Sequence, residues 1–189
     1  MPRANISRSL VLAAAADLAD RNGFDAINVS ELARHFGVKP ASLYSHVRDR
    51  AAVAEGVHQL ALGELSERIA AAIGGRAASD ALKGFADAHR GYATERPGCW
   101  TALQRPATAE TAHSQAAQRM SAQLVAVIRG YGLPASEIVH AARFVGATIN
   151  GYLTLERIGA FDHRSPESEI SWARAISAVD IALRAWPNE

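Results

Sequence analysis

The chain has one cysteine, Cys99, in 189 residues. That excludes an internal disulfide and any zinc site built from several thiolates, and it suits a reducing compartment. Net charge is nearly absent too, since 20 Lys+Arg stand against 19 Asp+Glu. No global field therefore draws the protein to nucleic acid or membrane, and any such function must be local. No apolar run approaches the roughly 18 residues that a membrane-spanning helix needs. The nearest imitation of a secretion signal, Leu10 to Ala16, is interrupted by Asp17 and Asp20 while its helical stripe runs on through them. The cytoplasm is the expected compartment. Catalytic signatures are missing as well. The seven histidines, at 35, 46, 58, 89, 113, 140 and 163, form no metal-binding pair at i, i+4 with a carboxylate between them. There is no Gly-rich phosphate loop and no nucleophile elbow. The expectation is a non-enzyme without cofactor or metal.

What is present is helix. Alanine fills 40 positions, and 49% of residues are apolar against 21% charged, an ordinary globular balance. A chain of this length buries roughly 70% of its unfolded surface as one domain or two small ones. Val11, Leu12, Ala15, Leu18 and Ala19 form a helical stripe within about 6–22, closed by Gly23. Asn28 with Glu31 three residues on resembles a capping box for a second helix ending near Gly37, and Pro40 suits the first position of a third. Asp49 can cap a fourth helix running from about 50 to 73. Further helices are expected from Ser79 to Pro97, around 100–104, over 111–130, over 136–159, and from Pro166 to Pro187. No stretch alternates as a strand does. The expected fold is all-α, about nine helices, divided into 1–48 and 49–189.

Residues 28–47 have the spacing of a helix-turn-helix, in which one α-helix enters the major groove and reads bases from its first turns. Lys39, Ser42, Ser45 and His46 offer donors and acceptors on the outer side, Tyr44 suits a phosphate oxygen, and Arg48 and Arg50 flank the motif. The first 50 residues hold 7 Lys+Arg and 5 Asp+Glu, net +2, and the remaining 139 hold 13 and 14, net −1. Spacing alone leaves two readings open, a DNA-reading head and the solvated face of a three-helix bundle. A helical adaptor that has lost DNA binding is a third.

The phrase from Gly37 to Arg50, GVKPASLYSHVRDR, resembles the DNA-binding signature of TetR-type repressors. Gly23 to Val29 and Glu31-Leu32-Ala33 sit at the offsets that family uses, and the likeness is strong over residues 10–56. It implies a homodimeric transcriptional repressor, released from a palindromic operator by a small-molecule inducer. By position, Ser42, Ser45 and His46 face the groove, Tyr44 and Arg50 hold phosphates, and Asn28 and Ser30 lie near the backbone. Lys39 departs from the family's usual Ser or Thr cap, and Ser45 is smaller than its common aromatic or basic residue.

The resemblance also implies a regulatory half. Inducers of the family bind among its middle helices, which makes Phe85, His89, Tyr92, Trp100, Gln104, Met120, Phe144 and Thr148 the expected lining. Its last two helices pair with their mates as a four-helix bundle, which places Val145, Ile149, Tyr152, Leu153, Trp172, Ile176 and Leu183 at the expected dimer interface. Residues 151–156 with 159–161 resemble one C-terminal subfamily. The same stripes also suit an intramolecular core, and Cys99 beside Trp100 is either inert or an oxidant sensor.

Overall fold

The computed structural model describes residues 6–187. Among them are ten α-helices and no strand: α1 Arg8–Asn22, α2 Val29–Phe36, α3 Pro40–Leu43, α4 Arg50–Ile73, α5 Ala78–Glu95, α6 Pro97–Leu103, α7 Ala109–Ala112, α8 Gln115–Arg129, α9 Ile138–Arg157 and α10 Ser168–Arg184. A single 3-10 turn, Phe24–Ala26, joins α1 to α2. The all-α expectation holds, with one more helix than expected. The stretch expected as one helix over 111–130 is two, because two hydroxyls cap in succession. Thr108 accepts from the Thr111 N–H at 3.1 Å, and Ser114 accepts from the Ala117 N–H at 3.3 Å.

Packing divides the chain into two compact units, residues 6–65 with 92–118 and residues 66–91 with 119–187. In the first unit, Ser7 caps α1 and Gly23, at φ +90°, lets the chain turn out of it. The inner stripe of α1, Val11, Ala15, Ala16 and Ala19, is fully buried. Part of its cover is α6. A Cβ on Gly98 would stand 2.1 Å from the carbonyl carbon of Ala19, so only glycine permits the two helices to lie this close. The junction is also polar. Asp20 accepts from the backbone N–H of Gly98 at 2.8 Å and of Cys99 at 3.0 Å, capping α6 from a different helix. That is why α6 begins at Pro97, earlier than its own sequence suggests.

The second unit is organised by α9 and α10. Ile138, Ala141, Val145, Ile149 and Leu153 on α9 are buried along with Trp172, Ile176, Val179 and Leu183 on α10, each large side chain contributing about 1.5–3 kcal/mol. Arg90 on α5 fastens both helices. Its guanidinium donates to the two carboxylate oxygens of Glu156 at 2.7 and 3.1 Å and also pairs with Glu169. The Trp172 indole donates to Asp87 at 3.0 Å. No helix among the described residues is long and apolar enough to cross a membrane.

Candidate nucleic-acid interface

The surface around α3 is built from caps. Asn28 accepts from the Glu31 N–H at 2.8 Å and donates to the Ala26 carbonyl at 3.1 Å, so its amide starts α2. The Glu31 side chain turns to Arg34 and does not complete the box. Gly37, left-handed at φ +65°, ends α2, and the Val38 N–H reaches back to the Ala33 carbonyl at 3.0 Å. Pro40 then opens α3, for which Lys39 makes no side-chain cap, as expected of an ammonium. The α-helix is four residues long and continues as a turn through His46, whose N–H donates to the Leu43 carbonyl at 2.9 Å. Leu43 and Val47 point inward, both buried. Asp49 closes the segment. It accepts from the Ala52 N–H at 2.8 Å and from Arg48 at 2.9 Å, and those two bonds hold its carboxyl below the ordinary carboxylate range.

With both ends so fixed, the outward side of the segment is polar and open. Lys39, Ser42, Tyr44, Ser45 and Arg48 are exposed, Tyr44 at 54%, while His46 is half-buried. Ser30 is exposed on the first turn of α2. Two expected contacts have other work. Asn28 spends its oxygen and one amide hydrogen on the fold. Arg50, its side chain 51% exposed, donates from Nε to the Ile27 carbonyl at 2.8 Å and from Nη2 to the Asp25 carbonyl at 3.2 Å. The Asn28 cap was legible in the sequence, but the Arg50 bonds were not, because Ile27 and Asp25 lie outside the motif's own helices.

The residues expected to line an effector site fall in both units. In the first, Tyr92 and Trp100 are buried and Gln104 is exposed, and the Tyr92 hydroxyl donates to Glu64 at 2.8 Å. In the second, Phe85 and His89 are buried with ring centroids 4.5 Å apart, Met120 and Thr148 are half-buried, and Phe144 is 38% exposed. His89 Nδ1 lies 2.8 Å from the Phe85 carbonyl, and burial pulls its pKa down to about 4. Cys99 is fully buried, and desolvation, with the Asp20 charge second, pushes its thiol up to about 11. That environment suppresses the thiolate an oxidant sensor requires. Among the described residues no group of three His, Cys, Asp or Glu is placed to hold a metal ion.

The residues expected at the dimer interface lie in the second unit. Val145, Ile149, Leu153, Trp172, Ile176 and Leu183 are all 6% exposed or less within the single chain, and the half-buried Tyr152 donates its hydroxyl to the Ser168 carbonyl at 2.8 Å. Six of them form part of the second unit's own interior, while Tyr152 stays half-buried. The outward faces of the same helices carry a different apolar set. Phe144 and Leu155 on α9, Ile158 just beyond it, and Ile170 and Ile181 on α10 are 38–73% exposed, interspersed with exposed Ala147, Gly151, Ala173 and Ala178.

Comparison with known proteins gives two family matches. Residues 11–57 match the family described as bacterial regulatory proteins, tetR family, and residues 82–179 match the tetracyclin repressor-like C-terminal domain. An uncharacterized HTH-type transcriptional regulator of Mycobacterium tuberculosis, Rv0681, is 30% identical over 161 residues, covering 84% of this chain and 74% of its own. A possible TetR family transcriptional regulator from Streptomyces coelicolor A3(2) has a similar fold, at TM-score 0.75 and 17% identity over 96% of this chain and all of the other. So does a TetR variant from Acinetobacter baumannii AYE in complex with minocycline, at TM-score 0.74 and 16% identity over 98% of this chain and all of the other.

Proposed function

The chain belongs to the tetR family of bacterial regulatory proteins, DNA-binding transcriptional regulators, and from that premise we propose that it is a homodimeric repressor released from a palindromic operator by a small molecule. Residues 1–48 read DNA and residues 49–189 dimerise and take the effector. The observation that carries the proposal is the braced polar surface of α3. Lys39, Ser42, Tyr44, Ser45 and Arg48 stand exposed together on a segment whose apolar side is buried and whose neighbouring helices are capped on either side. Ser42, Ser45 and His46 face base edges, while Lys39, Tyr44, Arg48 and Ser30 meet phosphates, and Asn28 acts through the cap it makes.

A two-fold operator requires two heads about 34–36 Å apart, or a multiple of that distance. We assign the pairing surface to the exposed apolar faces of α9 and α10. Their alternation of alanine and glycine with Phe144, Leu155, Ile170 and Ile181 suits close helix approach. The minocycline complex of a similarly folded protein supports a small organic effector. A cytoplasmic regulator without catalytic activity follows from the same assignment. The test is selection from a random duplex library with the full chain, followed by affinity measured across a salt series. A palindrome should emerge, with a log–log slope of about −0.9 per neutralised phosphate. Binding without sequence preference, or without salt dependence, would favour an adaptor.

A further inference from the structure

We infer that Arg50 sets the angle of the recognition segment, as a positioning residue and not as a phosphate ligand. The inference rests on the DNA-reading assignment above and departs from the role the resemblance gives this position. Arg50 is the first residue of α4, three residues after the buried Val47 that ends the segment. Its Nε and Nη2 donate to the carbonyls of Ile27 and Asp25, at 2.8 and 3.2 Å, on either side of Ala26 in the link between α1 and α2. That pair of atoms is one edge of the planar fork, an edge suited to bidentate phosphate binding, and here it is occupied by backbone. The two carbonyls are met by two nitrogens fixed in one plane, a geometry that a lysine's single ammonium nitrogen does not reproduce.

The same link is gripped from its other side. Arg105, two residues beyond α6, donates through Nη2 to both carboxylate oxygens of Asp25 at 2.8 and 3.0 Å, and its guanidinium lies 5.2 Å from the Phe24 ring centroid. Asp25 is therefore shared, because Arg50 Nη2 also stands 3.7 Å from its carboxylate. Exposed ion pairs of this kind contribute little to stability. Their importance here is directional. A four-residue helix cannot hold its own course, so α3 points where its two ends are held. Gly37 and Val38 hold one end against α2. At the other, Arg50 ties the start of α4 to the 3-10 turn, and Arg105 steadies that turn.

The test uses the full chain, a duplex selected from a random library by the wild-type protein, and a non-specific duplex of equal length. Arg50→Lys and Arg50→Ala should each weaken the selected duplex about tenfold while leaving the non-specific duplex and the salt slope unchanged. Arg105→Gln, which leaves Arg50 in place and guards against an unfolded Arg50 variant, should cause a smaller specific loss of roughly threefold, with thermal melting confirming the fold. Wild-type affinity in Arg50→Lys would overturn the inference. So would an Arg50→Ala variant that weakens both duplexes alike and flattens the slope by about 0.9, the signature of a lost phosphate contact. Failure of the wild-type chain to select any duplex would overturn instead the DNA-reading assignment beneath it.

Discussion

His89 is a titratable group buried in the second unit, and the cost of charging it there is what lowers its pKa to about 4. Unfolded, the imidazole takes up its proton near 6.5. Between the two values the unfolded chain binds the extra proton, so this contribution to stability is complete above about pH 6.5 and declines as pH falls toward 4. By about pH 5 the loss amounts to about 2 kcal/mol. Melting curves of His89→Gln should therefore flatten between about pH 7 and pH 5 relative to wild type; parallel curves would show that the imidazole is not the group responsible. Gly98 gives a steric case. Gly98→Ala drives a methyl into the backbone of Ala19 and Asp20, neither of which can swing aside, and should destabilise by about 3 kcal/mol in denaturant melts. An unchanged midpoint would mean α6 lies farther from α1 than described.

Among elements, what the sequence revealed and what it hid divide by distance along the chain. Asn28, Gly37 and Asp49 end or begin helices through partners within five residues, and local patterning was enough to find all three. Asp20 caps α6 from 78 residues away, and no local pattern reveals that. Periodicity likewise identified the stripes of α9 and α10 but not which face turns inward, since a buried intrachain stripe and a subunit interface have the same apolar spacing. Only packing separates them. Hence Ile181→Glu, on the outward face, should leave the monomer folded and shift sedimentation toward a single chain, whereas a variant still dimeric would place the partner elsewhere. At α3 the two contact classes should separate cleanly. Tyr44→Phe weakens selected and unrelated duplexes by a similar factor, whereas Ser45→Ala, whose hydroxyl donates to the Ser42 carbonyl at 2.8 Å, changes which bases are preferred. Library selection with each variant distinguishes the outcomes.

For the molecule as a whole, the important feature is that the unit containing α3 is assembled from two separated stretches, with 66–91 between them. Residues 1–48, which carry the recognisable motif, lack the α6 surface against α1 and the Arg50 brace. A peptide of those residues should show little helical circular dichroism at room temperature, while the full chain melts cooperatively. A well-folded peptide would show that the motif needs no such support. Synthesis of the chain gives this arrangement an order in time. The N-terminal helices leave the ribosome first, but the surface they settle on follows only after residues 92–118 have been added, an interval on the order of seconds at cellular elongation rates. Until then the apolar stripe of α1 lacks the α6 surface that covers part of it in the finished unit.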